Sequence, residues 1–247
     1  MPRYFLEVFY KGEGFSGFQV QKNAITIQSE VEKAFEVFFR NPVSLTGSSR
    51  TDAGVHALQN YFHFDWSDDF PEMALYNLNA ILPKSIVIKS IRKVKEDAHC
   101  RFHAVSREYK YYIFNSKNPF LDDRAWHIPF TLEKELLNEC AAHIRHYTDF
   151  TAFSKRNTQV KTFQCSIIES RWVEENGCLV YQVKANRFLR GMVRGLVGTM
   201  IRVARGNMTF IDFQELISQQ NQSTADFSAP AKALFLVQVA YPNELFL

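Results

Sequence analysis

Two hydrophobic periods alternate along this chain, and the alternation runs through twice. "RYFLEVFYKG" at residues 3–12 has the two-residue rhythm of a half-buried strand. "TIQSEVEKAFEVFFR" at 26–40 places apolar residues at helical spacing, with Thr26 as its N-cap. "NPVSL" (41–45) returns to strand, a loop follows, and "NYFHFDW" (60–66) is strand again. "PEMALYNLNAIL" predicts a helix stopped near Pro83, and "SIVIKSIRKV" a further strand. The second half repeats the scheme. "RFHAVSREYKYYIFN" reads as strand, "TLEKELLNECAAHIRH" as helix, and "SIIESRWVEENGCLVYQVKA" as a hairpin turning at Asn176-Gly177. "RFLRGMVRGLVGTMIRVA" then reads as helix and "ALFLVQVAYP" as strand.

The order strand, helix, strand, strand, helix, strand is the split βαβ arrangement of ferredoxin-like folds. The expectation is an α+β protein of two such halves, residues 1–100 and 101–247, with a cleft between them as the natural place for a site. A chain of 247 residues with 46% hydrophobic content is long enough for either one large or two modest cores. Its net charge of +3 permits a nucleic-acid partner only if the positive charge is concentrated locally. Cys100, Cys140, Cys165 and Cys178 form no C-x-x-C pair, against both a zinc ribbon and a disulfide framework. No run of about 18 apolar residues exists to span a membrane, and the cytoplasm is the default location.

Chemistry concentrates at two places. In "GSSRTDAGVHA" (47–57), Asp52 stands two residues from Arg50, between Gly47 and Gly54. A loop aspartate is ordinarily a turn residue. An arginine partner favours its ionised form, which can act as nucleophile or base. On the last long helix, Leu189, Met192, Val193, Leu196, Met200 and Val203 share a face. The opposite face collects Arg187, Arg190, Arg194, Arg202 and Arg205, without an acid among them and with Gly191 and Gly198 interspersed. Arginine forks suit phosphate or carboxylate. Interior glycines are easiest to understand where something approaches the backbone closely. Tyr109 and Tyr111 share one face of the "SREYKYY" strand, where a phenol can pack in a core or stack on a nucleobase. Asp52 with His56, or His99 with His103, could pair on a metal. No third ligand stands at a standard spacing, however, and "HCRFH" alternates as a strand. No P-loop lysine and no G-x-S-x-G elbow occurs.

The chain resembles the tRNA pseudouridine synthase A family along nearly its whole length. "RTDAGVHA" is similar to the family's catalytic-aspartate motif, "GFQVQ" to its G-W-Q-x-Q segment and "LNAILP" to its L-N-x-x-L-P helix end. "AHCRFHAVSREYKYYI" resembles the strand of the active-site tyrosine, and "DFTAF" and "KANRFLRGMVRGLVGTM" the later blocks. Ser49, Lys11, Phe18 and Val20 depart from residues the family favours.

The resemblance implies a pseudouridine synthase fold with a central, mostly antiparallel sheet. It implies isomerisation of uridine at positions 38 to 40 of the tRNA anticodon stem-loop, by a homodimer, without metal or other cofactor. Asp52 is then the nucleophile, Arg194 its charge partner and Tyr109 the residue against the flipped uracil. Arg50 assists flipping, and Gln19, Arg187 and Arg190 also contact substrate. The alternative is a non-catalytic RNA-binding or chaperone module on the same scaffold. RNA binding alone would not require a carboxylate facing a polyanion, which favours the enzyme.

Overall fold

The structure, a computed structural model, describes residues 1–67, 70–156, 160–221 and 224–247. It divides into two compact units, one of residues 1–105 with 235–247 and one of 106–234. The sequence alone put the boundary near residue 100 and left the last strand with the second half. In the structure residues 235–247, nearly all of that strand included, group with the first unit.

In the first unit, β1 (Arg3–Tyr10) lies between β3 (His56–Asp65) and β4 (Ile86–Val94), antiparallel to both. The outer edge of β3 is shared. At one end it takes β2 (Thr46–Gly47) antiparallel, and at the other β9 (Leu234–Ala240) parallel, with His56 opposite Phe235. The expected split βαβ order is present, with α1 (Ile27–Phe39) and α2 (Ala74–Ile81) as its helices. Thr26 caps α1 as expected, in a reciprocal pair with Ser29. Period-two alternation sends Tyr4 of β1 against Phe64 and Phe70, while Phe5 packs against Tyr61, Tyr241 and Phe246 on the opposite face. Two expectations fail here. "NPVSL" is not a strand, since β2 is only the two residues that follow it. "HCRFH" is a turn: the amide of His103 donates to the His99 carbonyl at 3.0 Å, which a strand cannot do.

In the second unit, β8 (Cys178–Ala185) lies between β5 (Ser106–Phe114) and β7 (Ile167–Glu175), antiparallel to both. A two-residue strand, β6 (Trp126–His127), adds to β5 in parallel. The β7–β8 hairpin turns at Asn176-Gly177, both at positive φ, as its sequence predicts. Among the described residues three α-helices accompany the sheet: α3 (Lys134–His143), α4 (Met192–Ala204) and α5 (Phe210–Ser218). Asn138 of α3 clamps β7 at both polar groups of one residue, accepting from the Trp172 amide and donating to its carbonyl. The buried Trp172 indole in turn reaches the Met200 sulfur of α4. Among the described residues no helix is long and apolar enough to cross a membrane.

Candidate active site

Asp52 lies in a turn whose backbone is fixed on both sides. Its carbonyl accepts from the Val55 amide at 3.2 Å, across Gly54 at φ 79°. Just before it, the Thr51 hydroxyl bonds the phenol of Tyr10 at 2.8 Å. Asn60, fully buried on β3, donates to that same phenol and to the Ser49 carbonyl, at 3.2 and 2.9 Å. Residues 49 and 51 are thus braced from beneath, Asp52 is partly exposed and Arg50 is exposed.

A second segment lies across the loop from the other side. The Phe18 amide donates to the Thr51 carbonyl at 3.1 Å, and the Gly12 amide to His56 Nδ1 at the same distance. This close approach explains the first and last glycines of "GEGFSG". A Cβ on Gly12 would sit 2.1 Å from the Val55 carbonyl oxygen, and one on Gly17 would crowd that of Thr51. Phe18 is core, stacked on Phe62 at 4.5 Å and filling the space a Gly47 side chain would need. Gln19, next along, is exposed. His56, a rival metal ligand on spacing, instead packs its ring on Phe235 and accepts from Gly12.

The other expected residues belong to the second unit. Tyr109 and Tyr111 are both buried on β5, as their spacing predicts. Tyr109 meets Phe188 edge to face at 5.0 Å, while the Tyr111 hydroxyl donates to the Pro230 carbonyl at 2.9 Å. Burial pushes the Tyr111 phenol up, against the opposing charge of Arg194. The single arginine face does not form. Gly191, in the left-handed region at φ 76°, is the residue before α4, so Arg187 and Arg190 precede the helix rather than line it. Only Arg194 and Arg202 lie within α4, and Arg205 just past its end sits over the Phe130 ring.

Arg194 is held by chain: its Nε donates to the Ala229 carbonyl at 2.6 Å and an Nη to that of Phe227. The interior glycines serve the same contact. A Cβ on Gly198 would lie 2.2 Å from the Asp226 carbonyl oxygen, and one on Gly195 would press on the Phe227 ring. The expected close approach is therefore made by residues 226–229, which also reach the helix through the Asp226 amide and the Thr199 hydroxyl. Gly191 similarly meets the Lys155 side chain. Helix α4 is buried nearly all round, with Val197 and Ile201 as well as the expected face.

A family model described as tRNA pseudouridine synthase matches residues 147–242. The tRNA pseudouridine synthase A of Parabacteroides distasonis is 42% identical over 248 residues, spanning 100% of this chain and 98% of that protein. The protein of the same name from Porphyromonas gingivalis is 44% identical over the full length of both chains. The chain belongs to the tRNA pseudouridine synthase A family. More distant members match as broadly: that of Staphylococcus aureus is 34% identical over 96% of this chain. As a pseudouridine synthase it is an isomerase, and the α+β architecture with mostly antiparallel strand pairing in both units agrees with that class.

Sequence reasoning missed the brace beneath the loop, because nothing marks Tyr10 or Asn60 out from the other polar residues of their strands, such as Glu7, Gln59 and His63. It also missed α5, although Thr209 and Asp212 spell out its capping box.

Proposed function

We propose that the chain isomerises uridine to pseudouridine at positions 38 to 40 of the tRNA anticodon stem-loop, with Asp52 as the nucleophile. The C1′–N1 bond breaks, the uracil turns in place, C5 bonds to C1′, and the C5 proton leaves as N1 gains one. Arg194 is the charge partner of Asp52, Tyr109 packs against the uracil and takes the C5 proton, and Arg50 assists flipping. Gln19, Arg187 and Arg190 hold the RNA. Flipping costs a few kcal/mol, which such contacts offset. The protein works in the cytoplasm, as a homodimer.

The observation that carries this reading is the loop itself: a partly exposed carboxylate on a backbone fixed by buried bonds at Ser49, Thr51 and Val55. Catalytic groups need such preorganisation, whereas an ordinary turn aspartate does not. Tritium release from 5-³H-uridine-labelled, unmodified tRNA tests it, comparing the native chain with Asp52→Ala. Release by the native protein alone, with RNA affinity little changed in the variant, supports the assignment. Substantial release by the variant removes Asp52 from its role. Sequencing the product for pseudouridine tests positions 38 to 40.

A further inference from the structure

His63, His99 and Cys100 converge in the first unit, at a place the isomerase reading leaves unused. One ligating atom from each lies within 4.8 Å of the others. His63 Nδ1 is 3.2 Å from the Cys100 sulfur, and the two imidazole rings meet with centroids 4.5 Å apart. The Cys100 amide donates to His63 Nδ1 at 3.4 Å, so a lone pair of that ring, not an N–H, faces the cysteine. Cys100 and His63 are buried, while His99 is partly exposed and gives an entry. Spacing along the chain did not show this set, because His63 comes from β3 and the other two from the turn after β4.

The distances suit one small ion. Zinc holds imidazole nitrogen at about 2.0–2.1 Å and thiolate sulfur at about 2.3 Å, which puts tetrahedral donors about 3.5 Å apart. Opening the His63–Cys100 contact by a few tenths of an ångström, and closing His99 from within 4.8 Å to about the same separation, meets that. The neighbouring Arg3 stands beside the site, donating to the Ala98 carbonyl at 3.0 Å, and Asp65 offsets its charge in part through two bonds of 2.7 and 2.8 Å.

We propose that His63, His99 and Cys100 form a binding site for one zinc-class divalent ion, with water as fourth ligand. The Cys100 thiol, which donates to the Thr46 carbonyl at 3.1 Å, gives up its proton to solvent as sulfur bonds the metal. Two imidazoles and a thiolate select zinc or cobalt over magnesium or calcium. The ion would staple β3 to the turn after β4, and no step of the isomerisation runs through it.

The test is a titration of tag-free, full-length protein with cobalt(II), read by the thiolate-to-cobalt absorption and by its loss on adding zinc. The expected result is one equivalent bound with that absorption, abolished in Cys100→Ser and weakened at least tenfold in His99→Gln. His103→Gln should leave it intact, since its Nδ1 only accepts from the His99 amide. Absence of the absorption in the folded native protein overturns the proposal, as does its persistence in Cys100→Ser. If the buried Cys100→Ser chain does not fold, the partly exposed His99→Gln decides: an unweakened titration there overturns the site. Tritium release is not part of the readout, so failure here leaves the isomerase reading untouched.

Discussion

Tyr10 and Thr51 share a buried hydroxyl–hydroxyl bond of 2.8 Å, joining the end of β1 to the residue before Asp52. Asn60 donates to the same phenol, so one oxygen couples two strands and the loop. Replacing Tyr10 by Phe keeps the ring and removes that oxygen. Leaving buried polar groups without their partner costs about 1–3 kcal/mol. For a chain of this size that lowers the melting temperature by about 2–4 °C per kcal/mol. Because the loop loses its support, kcat for tritium release should fall more than KM rises. A kcat equal to the native value would show that the brace serves stability alone.

Gly198→Ala tests the docking of residues 226–229 on α4. Helix propensity alone predicts a gain of about 1 kcal/mol. The added carbon would meet a backbone oxygen at 2.2 Å, and backbone cannot swing aside as a side chain can. Overpacking of this kind costs about 1–3 kcal/mol. Calorimetry should show net destabilisation. Arg194, held by carbonyls of the same segment, should lose activity along with it.

Glu7 supplies a pH-dependent term. Burial raises its carboxyl, but bonds from Gln59, Lys89 and Ser90 more than offset this and hold it below the ordinary range. A carboxylate with a depressed folded pKa stabilises the fold above its unfolded value and loses that contribution as pH falls through the folded one. The melting-temperature gap between native protein and Glu7→Gln should therefore be constant from pH 7 to about 5 and shrink below about 4.5. A gap that widens in acid would contradict the assignment.

Arg190 is exposed ahead of α4. Arg190→Glu should weaken tRNA binding and reduce the slope of log affinity against log salt by about one or more. Filter binding at several salt concentrations reads it directly, and an unchanged slope means this side chain does not touch phosphate.

The regular elements were legible because their signals are local: Thr26 capping α1, Asn176-Gly177 turning the hairpin, alternating Tyr109 and Tyr111. The start of α4 was not. Apolar periodicity runs on from Leu189 through Met192, and only the left-handed Gly191 breaks the backbone there. The meaning of Gly12, Gly17 and Gly198 was half legible. A sequence shows that something must come close, but only the folded chain shows that residues 51–55 and 226–229 are what comes. His63 and Cys100 meet through tertiary pairing, which no spacing rule reads.

The parallel pairing of β9 on β3 also orders events during synthesis. The Val239 amide bonds the Gln59 side chain, 180 residues earlier in the chain, and Phe235 flanks His56 at the exit of the aspartate loop. At ribosomal speeds of about 5–20 residues per second, that separation is a delay of roughly 10–40 s. Throughout it, the edge of β3 beside the loop has no strand to close it. The nascent chain therefore carries its aspartate motif long before the strand that completes its support exists, and the first unit finishes folding only after the whole of the second has been made.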